Sequence, residues 1–239
     1  MRTNIRGSIW FSFYRFLIIF PLIVAAVFRP PGGGRGFVVS FAAACGYVGL
    51  AMVALEFSLV ARLKHVAGAF GQDALQQFHK QMGYVSTVFL LAHPILLLTS
   101  GYPLESLNPF SPAIPWAWRW GTIAFYVLLV LVGLSAGRRL FRMSFDWWQL
   151  THRLLAPVVL ILALVHIFMV NGFTGTVPMQ ALWVIYGTGL LGITVYHRIY
   201  MPLRTWQRPW SVVRVFPKRS KPFVAKRSVK GSPRSGTSS

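Results

Sequence analysis

Two stretches, HKQMGYVSTVFLLAHP (residues 79–94) and THRLLAPVVLILALVH (residues 151–166), share one spacing: a histidine, thirteen mostly uncharged residues and a second histidine. The steps from His79 to His93 and from His152 to His166 are both fourteen residues. At about 100° per residue, such a step returns a side chain to within roughly 40° of its starting face. At about 1.5 Å per residue, it separates two imidazoles on one helix by roughly 21 Å. Two such helices side by side present histidines at two levels, one near each edge of a bilayer. Two facing imidazoles at one level suit an iron porphyrin, which takes an axial nitrogen on each face. The pattern predicts an all-α membrane protein with two stacked haem sites.

Composition supports the membrane. The 239 residues are 55% hydrophobic and only 12% charged, where a soluble domain carries about twice that charged fraction. Long apolar runs predict six spans, near residues 9–28, 37–61, 79–100, 120–137, 150–170 and 179–200. Each is long enough to cross roughly 30 Å of hydrocarbon with some tilt. The paired histidines then fall on the third and fifth spans. The first apolar run follows a basic start but lacks a small-residue cleavage site, so it reads as a retained helix. RPPGGGRG (residues 29–36) is a turn, with no strand before it to make it a dinucleotide loop. Residues 62–81 form a polar connection with room for a short interfacial helix. The loop GYPLESLNPFSPAIPWAWRW (residues 101–120) holds four prolines and three tryptophans, suited to an irregular segment at headgroup level.

Lys and Arg number 24 against four acids, a net charge of +20. With six spans, only Arg29, Arg35 and Arg119 lie on one side, and the other 21 basic residues share the opposite side with both termini. The basic side is expected to be cytoplasmic, in a plasma or inner membrane. The charge is thereby explained by membrane lipid and topology, and no nucleic-acid module accompanies it. In this topology the third and fifth spans run parallel, which places His79 level with His152 on the inner side and His93 level with His166 on the outer side. Cys45, the single cysteine, excludes an internal disulfide or iron–sulfur cluster and reads as a packed thiol.

Ionisable groups inside a span are costly and mark function more often than not. An isolated histidine is readily a hydrogen-bonded core residue; two equal pairs on parallel helices are not. His79 and His152 stand at the expected span ends, where solvated histidines are common, so their assignment rests on the repeat. Ser86 and Val159 lie midway between the histidines of each pair, with Gly83, Ala92, Ala156 and Ala163 nearby. Small residues there leave room for a porphyrin, and equally allow close helix packing. Pro94 and Pro157 remove backbone donors within their helices. Arg153, Lys80, Arg138, Arg139 and Arg142 share the inner level, and Arg153 is the choice for a haem propionate, although setting topology accounts for most of them. Glu56 and Arg15 sit just inside the same boundary and either pair or snorkel to the interface. His65 and His197 have no matched partners.

Six spans with two histidines on the third and two on the fifth resemble the ferric reductase-like transmembrane domain family. FDWWQLTHRLLAPVVLILALVHIFMV (residues 145–170) carries the resemblance most fully, and its extent is about residues 9–205. The family includes ferric reductases, NADPH oxidases and the haem subunit of methionine sulfoxide reductase systems. The resemblance implies transmembrane electron transfer through two b-type haems, with His79, His93, His152 and His166 as axial iron ligands. It implies a cytoplasmic FAD and NAD(P)H donor and a periplasmic or extracellular acceptor. Residues 1–205 are then the membrane domain, and residues 206–239 a basic cytoplasmic tail expected to be disordered. WSVVRVFP within that tail alternates like the first strand of a flavin-binding barrel. The remainder is too short for flavin and nicotinamide domains, so a separate flavoprotein reductase, or loss of a reductase half, is expected. A methionine sulfoxide reductase-type haem subunit is the alternative within the class. A proton-coupled transporter with a histidine relay is the alternative outside it, and a membrane adaptor anchored through the basic tail is a third.

Overall fold

A computed structural model describes residues 2–28, 35–60 and 71–206 of the chain. Helix α1 spans Arg2–Val27, α2 Phe37–Val60 and α3 Gln72–Thr99. Helix α4 spans Trp116–Ala136 and α5 Phe145–Val170. The sixth rod is built from α6 (Val177–Val184), a wider π turn (Ile185–Gly189), α7 (Leu190–Val195), a second π turn (Tyr196–Tyr200) and α8 (Met201–Trp206). No strand occurs among the described residues. Six of the helical stretches are long and apolar enough to cross a bilayer. The protein is an all-helical, multi-pass membrane protein, as the apolar runs predict. His65, with residues 61–70 around it, and residues 207–239 of the basic tail lie outside the described residues.

Several helices extend beyond the expected apolar runs, and at two helix ends the difference matters for the site. Helix α3 begins at Gln72, two turns before His79, because Gln72, Asp73, Gln76 and Gln77 continue the helix beyond the apolar run. Helix α5 begins at Phe145 behind Ser144, whose side chain accepts a hydrogen bond from the Trp147 amide, so the helix starts at its cap rather than at its apolar face. His79 and His152 therefore sit about two turns inside their helices and not at span ends.

The chain packs as two antiparallel hairpins, α2 with α3 and α4 with α5. Helix α2 is the axis of the bundle and contacts α1, α3, α5 and the sixth rod. Its sequence explains this: Ala42, Ala51 and Ala54 are fully or almost fully buried, and small side chains let neighbouring backbones come close. Val24, Leu50, Leu160, Met179 and Trp183 fill the core beside them. The Tyr186 hydroxyl donates to the Leu17 carbonyl at 2.7 Å, and the Thr194 hydroxyl to that of Phe57 at 3.1 Å, tying the sixth rod to α1 and α2. Large apolar residues such as Phe13, Phe37, Val88 and Leu154 face outward. That pattern is unfavourable in water and ordinary in lipid.

Gly49 marks the tightest point between α2 and α3. A Cβ there would stand 2.7 Å from Leu90 Cγ and 3.2 Å from the Leu90 backbone nitrogen. Gly49→Ala is expected to destabilise the protein by about 1–3 kcal/mol. Gly192→Ala, at an exposed helical position with open space around it, should be neutral or stabilising by up to about 1 kcal/mol. Thermal melting of the two variants in detergent measures the contrast.

Candidate functional site: two facing histidine pairs

The structure brings the four histidines together in the expected pairs. The ring centroids of His79 and His152 are 6.1 Å apart, and those of His93 and His166 are 6.5 Å apart. Because residues fourteen apart on each helix meet in the same order, α3 and α5 run parallel. Their backbones do not pack as a pair; side chains bridge the space between them. The rings are steeply inclined, by 83° and 68°, so neither pair is stacked.

Each histidine is held from behind by its own hairpin partner. The Nδ1 of His93 lies 2.8 Å from the Ala42 carbonyl oxygen on α2, and that of His166 lies 2.7 Å from the Ala117 carbonyl oxygen on α4. The Nδ1 of His152 is 3.2 Å from the Ser135 hydroxyl on α4. The Nδ1 of His79 is hydrogen-bonded to Glu56 Oε2 on α2. Among the described residues no Nε2 of the four has a hydrogen-bond partner. This is the arrangement in which a second-shell acceptor fixes the tautomer and leaves the other nitrogen for a ligand.

The carbonyl contacts depend on glycine. A helical Cβ leans toward the preceding turn, so the residue at i+4 covers the carbonyl of residue i. Gly46 stands four residues after Ala42, and Gly121 four after Ala117, which leaves both carbonyls open to a ring from the neighbouring helix. A Cβ at Gly46 would stand 3.1 Å from His93 Nδ1, and one at Gly121 2.6 Å from His166 Nδ1. The sequence shows the same Ala-x3-Gly spacing in FAAACGY and WAWRWGT, a signal that inspection of the histidine helices alone misses.

A cavity of about 440 Å³ surrounds the pair of His93 and His166. Gly46, Leu90, Gly121, Phe125, Val159 and Ala163 line it, and Arg35 stands among the residues at its boundary. Of the small residues expected beside the ligands, Val159 and Ala163 occupy that position; Ser86 is buried and bonds back to the Gly83 carbonyl at 3.0 Å.

Charged groups at the other level are arranged differently from expectation. Glu56 is buried and does not pair with Arg15. It accepts from the Tyr14 hydroxyl at 3.4 Å as well as bonding His79, while Arg15 lies over the Phe11 ring at 4.1 Å. The α2–α3 register, invisible in the apolar pattern, brings the acid to the histidine. Arg153 is exposed and has no hydrogen bond or ring contact among the described residues. Arg138 instead approaches the pair through Trp148: its guanidinium is 5.3 Å from the Trp148 ring, which lies 5.7 Å from His152. The Trp148 Nε1 is buried without a hydrogen-bond partner among the described residues. Arg119 binds the Ser111 and Ile114 carbonyls of the preceding loop at 2.8 and 2.9 Å, and His197 makes a ring contact with its neighbour Tyr196.

The fold and site together define a multi-span helical membrane protein that presents two levels of paired imidazoles. Residues 45–163 match the family described as ferric reductase like transmembrane component. That stretch of the chain belongs to the family; it runs from within α2 to within α5 and includes His79, His93 and His152, with His166 three residues beyond. Comparison with curated proteins and with solved structures finds no significant match. The family points to the membrane component of an oxidoreductase.

Gly121→Ala should displace His166 from the Ala117 carbonyl and lower stability by about 1–3 kcal/mol. Gly46→Ala, with the looser approach, should cost less. In a double-mutant cycle the Gly121→Ala penalty should largely disappear once His166 is alanine, measured as melting temperatures in detergent.

Proposed function

We infer that the chain carries electrons across a plasma or inner membrane through two b-type haems, one at each histidine level. The observation that carries the reading is the pairing itself: two imidazoles face each other at each level with Nδ1 engaged from behind. A nitrogen bonds a transition metal at about 2.0–2.1 Å, so two imidazoles on opposite sides of one metal have ring centroids roughly 6 Å apart. Both observed separations fall near that value. Among the described residues no group of three or more His, Cys, Asp or Glu could hold a bare metal ion. Two imidazoles per level suit a metal that brings its own equatorial ligands, as a porphyrin does. The cavity at the His93 and His166 level is mostly apolar in its lining, the surroundings a macrocycle requires.

When bound, the haems supply one-electron chemistry; the protein supplies ligation, spacing and dielectric. His79 and His152 would hold the inner haem, and His93 and His166 the outer one. Ala42, Ala117, Ser135 and Glu56 orient those four rings. Arg138 and the free Trp148 indole N–H are better placed than Arg153 to bind an inner propionate, and Arg35 is suited to an outer one. The topology assigned by positive charge puts the His79 level on the cytoplasmic side with both termini. Electrons would enter there from a flavin/NAD(P)H donor, such as a flavoprotein reductase, and leave to a periplasmic or extracellular acceptor.

A reduced-minus-oxidised visible spectrum with a haem count on the purified chain tests this reading. Two low-spin b-type haems per chain are expected. His93→Ala and His166→Ala should each reduce the count to one and stop electron exit. Two full equivalents in both variants would overturn the ligand assignment, and no haem after expression with ample haem would overturn the function.

A further inference from the structure

The four histidines are not equivalent from behind. His93 and His166 meet neutral backbone carbonyls, and His152 meets a hydroxyl at 3.2 Å. Only His79 meets a carboxylate. Glu56 is the one acid in the buried set, lodged in α2 at the expense of desolvation that a structural contact alone does not require. Its second oxygen accepts from Tyr14, and with Glu56 ionised the His79 Nδ1–H is the donor. That tautomer leaves the His79 Nε2 unprotonated, on a ring whose centroid is 6.1 Å from that of His152.

We propose that Glu56, acting through His79, sets the inner haem at a lower reduction potential than the outer one, and so gives the electron its outward direction. The inference rests on the two-haem reading above. An anionic acceptor draws the Nδ1 proton, raises electron density on Nε2 and favours the more highly charged metal. A backbone carbonyl does this less. With haems held by His79 and His152 and by His93 and His166, the groups would supply a one-electron exchange in which the inner iron's oxidation balances the outer iron's reduction, and Glu56 would bias it through the His79 ring. Tyr14 moderates the effect, because its hydroxyl withdraws part of the carboxylate's charge from the histidine bond. Glu56 and Tyr14 are positioning residues: neither faces the gap between α3 and α5.

The test is potentiometric titration of the purified full chain in detergent, followed by haem absorbance, with haem content measured first. Wild type should show two one-electron waves, the lower lost in His152→Ala and the higher in His166→Ala. Glu56→Gln should raise the lower wave by at least about tenfold in the reduction equilibrium, ~59 mV for one electron, and leave the higher wave nearly fixed. Tyr14→Phe should move the lower wave in the opposite direction. A Glu56→Gln protein that keeps both haems with the lower wave unmoved overturns the proposal, as does an equal movement of both waves. If Glu56→Gln loses the inner haem, Tyr14→Phe decides: a downward shift supports the proposal, and an upward or absent shift overturns it. A wild-type chain without haem removes the underlying reading and the proposal with it, whereas two haems with equal potentials remove the proposal alone.

Discussion

At the level of His93 and His166 the site depends on one kind of contact: a histidine ring bonded to a backbone carbonyl of its hairpin partner. In a bilayer that contact is available only where the covering side chain is absent, because no water competes for the carbonyl and no loop can supply another acceptor. Gly46 and Gly121 remove the covering side chain. The ring is then fixed in tautomer and orientation by the backbone of the partner helix, which moves far less than any side chain. An interhelical hydrogen bond in lipid is worth only about 0.6 kcal/mol on average, so the contact contributes more to orientation than to stability. Stability comes instead from the close packing that the same small residues permit.

The central position of α2 follows from this logic. It is the most buried of the six spans, and its small residues serve α3 on one side and the sixth rod on another. Helices α3 and α5, which carry the paired histidines, are by contrast largely exposed on their outer faces. The buried element orients the rings that the exposed elements present. The acid at Glu56 belongs to the buried element too, which keeps an expensive buried charge from relaxing away from its partner.

Much of this was legible in the sequence. Six apolar runs announce six spans because lipid demands unbroken hydrophobicity over a fixed thickness. The paired fourteen-residue steps announce two histidine levels because the helix period is constant. What the sequence obscured depends on interhelical register. Glu56 could not be matched to His79 without knowing how α2 slides against α3, and Arg15 was the nearer candidate by depth alone. Helix starts were misplaced where polar residues carry a helix past the apolar run, as at Gln72, or where a cap sets the start, as Ser144 does at Phe145. Arg153 stands next to His152 in sequence yet is exposed, while Arg138, fifteen positions earlier, reaches the pair through Trp148.

The two hairpins repeat one design: an alanine carbonyl, a glycine one turn on, and a histidine supplied by the return helix. Each half thus holds one of the pair, His93 or His166, with its own residues, and the halves meet at the histidine faces of α3 and α5. Each imidazole is therefore oriented within its own hairpin, independently of its opposite number, so the pair is two finished jaws rather than two loose side chains.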